Sequence, residues 1–170
     1  GDDDATADDD DTSGDDDTTE DIDPDDLDGD GLSVEDGDCD DTDPTITTGH
    51  LVPGDYPTIQ EAIEALPSGE VICVEPGTHA ENLDMLGKDL AVVGIEGPAA
   101  TVLDGGGSGS VVRFVNGEGP GARLQGFTLT HGMAPIGGGI RIDTASPTPS
   151  RPVITGNGGR DNGAGNYMNA

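Results

Sequence analysis

Aromatic and basic residues are scarce in this chain of 170 residues, which has two Phe, two Tyr, no Trp and only six Lys and Arg. Because phosphate contacts require a basic face, the chain has little to offer nucleic acid. Its net charge of −30 likewise opposes docking on anionic lipid. No apolar run approaches the roughly 20 residues of a membrane-spanning helix, and no signal peptide is present. The composition therefore favours cations as partners and predicts neither nucleic-acid binding nor membrane insertion.

The acidic residues are concentrated near the N-terminus. Residues 1–43 hold 23 of the 36 Asp and Glu, whereas all six Lys and Arg follow them. Residues 1–20 contain almost nothing apolar and cannot offset the entropy cost of ordering. We predict a disordered acidic spacer over 1–20, an Asp-rich module over 21–44 and a linker over 45–56. This composition is typical of a secreted or surface-displayed bacterial protein, and the start without Met indicates a processed or truncated product.

The segment PTIQEAIEALPSG has the pattern of a short amphipathic helix. Thr58 is a favourable N-cap, and Glu61 stands at the capping-box position three residues later. The apolar stripe at i, i+3, i+4 and i+7 consists of Ile59, Ala62, Ile63 and Leu66. Helix breakers follow at once in the sequence PSG. A helix this short needs an apolar surface to cover.

Beyond this helix the sequence changes to short β-branched runs separated by Gly-rich breaks. These runs begin at residues 71, 90, 101, 111, 122, 137 and 152. The starts at 71, 90 and 111 fit one turn of a β-solenoid per ~20 residues, and a β-sandwich is the alternative. Few tight hairpin signals, and a helix placed to cap the first coil, favour the solenoid.

Several of these stretches resemble pectin-lyase-like right-handed parallel β-helix proteins. The segment YPTIQEAIEALPSGEVICVEPGTHAENL looks like their first coil, and TVLDGGGSGSVVRF, LQGFTLTHG and GGGIRI look like later coils. The resemblance covers about residues 56–158. It implies an all-β fold, a right-handed parallel β-helix with an N-terminal capping helix, over residues 57–170. We expect this solenoid to be truncated at its C-terminal end.

The stretch DLDGDGLSVEDGDCDDTDP, residues 26–44, has the spacing of a calcium loop. An EF-type loop places oxygen ligands at positions 1, 3 and 5, a Gly at 6 and a backbone carbonyl at 7. The ligands aligned in this way are Asp26, Asp28, Asp30 and the Leu32 carbonyl. Position 12 is a Gly, so Asp36 or Asp38 would replace the missing Glu. Asp36, Asp38 and Asp40 repeat the spacing, so they either close this site or hold a second ion, unless all these acids simply continue the spacer.

This stretch also resembles the Asp-rich metal-binding repeats of secreted bacterial surface proteins and, more distantly, thrombospondin type 3 repeats. The resemblance covers about residues 23–46. It implies Ca²⁺ held by Asp oxygens, often beside a cysteine bridge. Pairing of Cys39 with Cys73 would pin the Asp-rich module to the solenoid, whereas two unrelated thiols are the alternative.

Catalytic residues are not defined by any spacing in the solenoid sequence. Arg141 and Asp143 share one face of a strand, and Arg113 lies between apolar neighbours. His131 ends a strand, while His79 occupies a turn and is expected to be structural. Solvent-facing roles account for these residues, so we assign no catalytic residue.

The function that these patterns favour is a secreted or surface-displayed, calcium-binding structural or adhesive β-helix protein without catalysis of its own. An extracellular glycan is a second candidate partner, although the shortage of aromatic residues argues against carbohydrate binding. The alternative is a fragment of a polysaccharide lyase or another glycan-active enzyme of the pectin-lyase-like fold.

Overall fold

The structure, a computed structural model, describes residues 26–33, 36–150, 152–159 and 166–169, the last four by their backbone alone. The predicted spacer and the start of the predicted Asp-rich module lie outside the described residues. The described elements are α1 (Ile59–Ala65), β1 (His50–Val52), β2 (Val71–Val74), β3 (Gly77–His79), β4 (Leu83–Asp84), β5 (Ala91–Gly94), β6 (Thr101–Asp104), β7 (Val112–Phe114), β8 (Arg123–Gln125), β9 (Thr128–Thr130), β10 (Ile140–Asp143), β11 (Thr148–Ser150), β12 (Val153–Ile154) and β13 (Asn166–Asn169).

These strands form three parallel sheets. Sheet 1 has the order β1-β2-β5-β8-β11, sheet 2 the order β12-β9-β6-β3 and sheet 3 the order β13-β10-β7-β4. Each turn of the chain places one strand in each sheet, so β2-β3-β4 is one coil and β5-β6-β7 is the next. The predicted parallel β-helix is therefore confirmed. Strand β1, which adds to sheet 1 ahead of the first complete coil, lies inside the predicted linker.

The coils differ in length more than the sequence indicated. In sheet 1, Val71 pairs with Ala91 and Ala91 pairs with Arg123, so successive coils there are 20 and 32 residues long. The run that begins at Val111 belongs to sheet 3 rather than sheet 1. The predicted length of ~20 residues per coil therefore holds for the first of these coils and not for the second, because each coil contains three short strands joined by turns of unequal length.

The core consists of the side chains that point into the coil. Ile72, Val92 and Leu124 occupy equivalent positions on neighbouring strands of sheet 1 and are fully buried. Phe114 and Ile142 make the same kind of row in sheet 3. Such rows follow from strand alternation, since every second residue faces the same side of a sheet. Aliphatic packing along the axis therefore holds the coils together.

Gly126 divides the run that the sequence presents as ARLQGFTLTHG into β8 and β9. Its φ of +76° lies in the left-handed region, which residues with side chains rarely adopt. A Cβ at this position would also collide with the backbone of Gly94 on the preceding coil. The corner between sheets 1 and 2 therefore depends on close backbone contact between two glycines.

Helix α1 covers the first coil, as predicted from its apolar stripe. Thr58 is the N-cap and its hydroxyl accepts a hydrogen bond from the Glu61 N–H at 3.2 Å. The Glu81 carboxylate accepts from the first helical N–H groups, at 3.2 and 2.9 Å. At the other end, Lys88 Nζ donates to the carbonyls of Ile63, Glu64 and Leu66 at 2.7–2.8 Å. The negative charge of Glu81 at the N-terminal end and the positive charge of Lys88 at the C-terminal end both interact favourably with the dipole of α1. The first coil therefore holds this helix at both ends.

Membrane insertion through a helix finds no support in the described part of the chain. No helix there is both long and apolar enough to cross a bilayer.

Candidate metal centre

The acidic loop, residues 26–33, turns three carboxylates towards one another. One oxygen from each of Asp26, Asp28 and Asp30 lies within 4.8 Å of the others. The backbone arranges them: Asp26 accepts from the N–H groups of Gly29 and Gly31, at 2.7 and 2.9 Å. Both glycines have positive φ, which tightens the turn. The alternating spacing read from the sequence thus produces a converging set of carboxylates.

Asp28 and Asp30 each use one carboxylate oxygen to hold the loop. Asp28 Oδ1 accepts from the N–H of Asp30 at 3.1 Å, and Asp30 Oδ1 accepts from the N–H of Leu32 at 2.9 Å. Asp38 does the same with the N–H of Asp40 at 3.0 Å. The second oxygens, Oδ2 of Asp28, Asp30 and Asp38, are buried and have no hydrogen-bond partner. Leaving a charged oxygen buried without a partner is costly, so this arrangement fits a cation.

Asp38 and Asp41 lie close enough to the acidic loop for the carboxylates to repel one another. Burial raises the pKa of Asp28, and repulsion from Asp30, Asp26 and Asp41 raises it further. Burial also raises the pKa of Asp38, with added repulsion from Asp30, Asp28 and Asp41. Asp28 and Asp38 are therefore harder to ionise than isolated aspartates, and a bound cation would relieve the repulsion on them.

The predicted ligands are not all placed alike. Asp38 is only 2% exposed, and its carboxylate is repelled by those of Asp28 and Asp30. Asp36 is exposed, and its Oδ2 accepts a hydrogen bond from the Ser33 hydroxyl at 2.9 Å. Of the two candidates for the closing ligand, the geometry favours Asp38. The role of the Leu32 carbonyl stays a prediction, since what the structure gives for Leu32 is its N–H bond to Asp30.

Asp41 is a further candidate ligand beside the acidic loop that the sequence did not single out. It is 9% exposed, and its Oδ1 accepts from the Leu27 N–H at 3.1 Å, which ties it to the acidic loop. Asp41 stands outside the alternating pattern, so the 1-3-5 spacing gave no signal for it. Its place depends on how residues 36–48 fold back over the loop.

Residues 36–48, here called the docked segment, lie on the outer face of sheet 1. Cys39 and Cys73 form a disulfide with their Cα atoms 5.5 Å apart, which settles the alternative that the sequence left open. Ile46 is buried in a small cluster with these cysteines, Ala91 and Val93. The Asp-rich module is therefore packed against the solenoid through a covalent bond and an apolar contact.

Polar contacts continue this docking along sheet 1. Gln125 Nε2 donates to Asp40 Oδ2, and Arg123 donates to the Thr45 hydroxyl at 3.0 Å. Arg123 also lies 3.7 Å from Asp43, whose pKa is lowered mainly by the hydrogen bond from the Thr45 hydroxyl and further by Arg123. The contacts reach strand β8, so the docked segment spans several coils.

One sequence signal for this covered face is visible in retrospect. The strands β2 and β5 read VICV and AVVG, without polar alternation, whereas β10 reads IRID. Near-continuous apolar runs are expected where both faces of a sheet are buried. In sheet 1 the inner face packs into the core and the outer face lies under the docked segment.

The acids and bases of the solenoid form ion pairs on its surface. Arg113 and Asp84 are 2.6 Å apart and Arg141 and Asp143 are 3.2 Å apart. His131 Nδ1 lies 3.0 Å from Asp104, whose pKa is lowered first by the N–H of Gly106 and then by this histidine. The contacts of His79 also fit its expected structural role, since its Nε2 bonds the carbonyl of Glu75 at 3.0 Å.

No protein-family model, curated protein or solved structure matches this chain. The pectin-lyase-like and thrombospondin type 3 resemblances therefore stay predictions.

Proposed function

We propose that this chain is a calcium-binding structural protein of the extracellular space or cell surface, in which a β-helix carries an Asp-rich calcium module and performs no catalysis itself. The observation that carries the proposal is the set of buried, unpartnered oxygens on Asp28, Asp30 and Asp38. An ordinary solvated spacer would leave such oxygens in water. Asp28 and Asp30 belong to the converging carboxylates of the acidic loop, and Asp38 adds a third buried oxygen that lacks a partner.

Calcium is the cation that this chemistry favours. All the candidate ligands are oxygens, which suit hard cations, whereas zinc and copper prefer thiolate and imidazole. Both cysteines of the chain are joined in the disulfide and offer no thiolate. Magnesium demands near-ideal octahedral geometry and keeps several waters, while Ca²⁺ accepts many carboxylates in an irregular arrangement.

The disulfide supports the proposed location. Disulfides persist in oxidising compartments and are rare in the reducing cytosol. Cys39 and Cys73 are both buried where the docked segment meets sheet 1, as expected for a structural bridge. A covalent bond and a bound ion would together fix the module on the solenoid, which suits a structural role outside the cell.

The test is calorimetric titration of the full chain with Ca²⁺. We expect a dissociation constant of roughly 10⁻⁴–10⁻³ M, the range of extracellular calcium modules. The double substitution Asp28→Asn with Asp30→Asn should abolish the binding heat. Glu61→Gln with Glu96→Gln, which removes two exposed charges elsewhere, is the matched control and should bind like the parent. A parent chain without binding heat, or one whose affinity survives the Asp substitutions, would reject the proposal.

A further inference from the structure

The acidic loop is held to the rest of the described structure by polar contacts. The Leu27 N–H donates to Asp41 at 3.1 Å, and the N–H groups of Asp36 and Asp38 donate to the Ser33 carbonyl at 2.9 and 3.1 Å. Leu27 is 71% exposed, so its side chain does not anchor the loop in an apolar cluster. The Asp41 carboxylate is therefore one of the groups that attach the loop to the docked segment.

The other side of the cluster belongs to the docked segment. Asp38 and Asp41 flank Cys39 closely in sequence, and Cys39 is 1% exposed and bonded to Cys73 on strand β2. Asp38 also forms a bridge with Thr48 across the segment. The positions of these two carboxylates are thus fixed by the disulfide and by the strand that carries it.

A cation in the cluster would consequently join two parts of the chain. The acidic loop supplies the converging carboxylates of Asp26, Asp28 and Asp30. The docked segment supplies Asp38, whose Oδ2 is buried without a hydrogen-bond partner, and Asp41, whose Oδ1 accepts from the Leu27 N–H of the loop. Without an ion the like charges of the two sets repel each other. With an ion they are drawn together, provided that the docked segment stays in place.

We propose that calcium binding and the Cys39–Cys73 disulfide are thermodynamically coupled, with Asp38 and Asp41 as the ligands that transmit the coupling. This inference rests on the proposed calcium site. The intact disulfide holds two of the carboxylates in position, so the ion binds to a preorganised set. Because such coupling is reciprocal, bound calcium must stabilise the disulfide against reduction by the same factor.

The redox step is an ordinary two-electron exchange with an added dithiol. The reagent's first thiolate attacks one sulfur of the bridge, its second thiol closes a ring, and Cys39 and Cys73 leave as two thiols that take up the two protons. The reagent ends as a cyclic disulfide. Ile46 and the Gln125–Asp40 hydrogen bond also hold the docked segment on sheet 1, so we expect reduction to weaken calcium binding rather than abolish it.

The change in Ca²⁺ affinity on removing the disulfide should resemble the change seen when groups that position metal ligands are removed. Removing such supporting groups lowers metal affinity by about 10- to 100-fold. We expect the dissociation constant for Ca²⁺ to rise at least ~10-fold in Cys39→Ser with Cys73→Ser. A ~10-fold coupling corresponds to a shift of about 30 mV in the disulfide's reduction potential between calcium-free and calcium-saturated protein.

Two measurements on the full chain test the coupling. Calorimetry compares Ca²⁺ affinity in the parent and in the double Cys→Ser variant, whose fold is checked by circular dichroism. Equilibrium titration of the native chain with dithiothreitol, with and without saturating Ca²⁺, gives the fraction of free thiols and needs no variant to fold. In Asp28→Asn with Asp30→Asn, calcium should no longer protect the disulfide.

The outcomes separate this inference from the proposed function. A parent that binds no Ca²⁺ overturns the calcium site and the coupling together. A parent that binds Ca²⁺ as tightly without the disulfide as with it, and whose disulfide is reduced equally with and without the ion, overturns the coupling alone. Weaker binding without the bridge, together with calcium-dependent protection that the Asp substitutions remove, supports it.

Discussion

Replacing Asp38 by Asn should have opposite effects on stability with and without calcium. Asp38 is almost fully buried, its Oδ2 has no hydrogen-bond partner, and its charge is opposed by Asp28, Asp30 and Asp41. In calcium-free protein the neutral amide removes this repulsion and can donate to a neighbouring carboxylate oxygen. Since a hydrogen bond to a charged group contributes about 1.5–3 kcal/mol, we expect the variant to gain about 1–2 kcal/mol.

With calcium the sign reverses, because the substitution weakens the site. A ligand that binds only the folded chain stabilises it by about 2.7 kcal/mol at 100 times its dissociation constant. For a dissociation constant of ~10⁻⁴ M this requires about 10 mM Ca²⁺. A domain of this size gains roughly 2–4 °C in Tm per kcal/mol, so calcium should raise the parent's Tm by roughly 5–11 °C. The Asn variant should lose most of this increase.

Thermal unfolding followed by circular dichroism, in chelator and in about 10 mM Ca²⁺, measures both effects. Asp36→Asn is the matched control, because Asp36 is exposed and its carboxylate bonds Ser33 rather than facing the cluster. This control should keep the full calcium response. The reasoning is refuted if Asp38→Asn and Asp36→Asn respond alike to calcium, or if Asp38→Asn lowers the calcium-free Tm.

Two further predictions concern the helical cap and the pH dependence of the calcium-free chain. Lys88→Met should lower the free energy of unfolding in urea by about 3 kcal/mol, because three carbonyls at the end of α1 lose a charged donor. A loss no larger than that caused by replacing an exposed Lys would contradict this role of Lys88. The pKa values of Asp28 and Asp38 are raised above 3.8, so the folded chain binds more protons than the unfolded chain just above that pH. These two residues should therefore raise the free energy of unfolding as the pH falls towards 3.8. Urea unfolding of Asp38→Asn across the same pH range should show a smaller increase in this free energy. An increase equal to that of the parent would rule out Asp38 as its source.

The parallel β-helix could be predicted because its determinants are local. The cap of α1 needs only Thr58 and the stripe that follows it, and the strands are marked by short β-branched runs. Coil length could not be read in the same way. It depends on which runs pair across coils, and turns of unequal length place the run at Val111 in sheet 3 rather than sheet 1.

The candidate site likewise has one part that follows from local sequence and another that depends on tertiary structure. The alternating Asp26, Asp28 and Asp30 converge because neighbouring backbone N–H groups hold them, so the sequence alone determined that part. Asp38, Asp41 and the disulfide partner of Cys39 were decided by tertiary structure. Their positions follow from the docking of residues 36–48 on sheet 1, where a contact between residues 34 apart in the chain fixes the carboxylates. The spacing of residues in a sequence predicts contacts between near neighbours only. The positions of Asp38 and Asp41 depend instead on the packing of residues 36–48 against the folded solenoid.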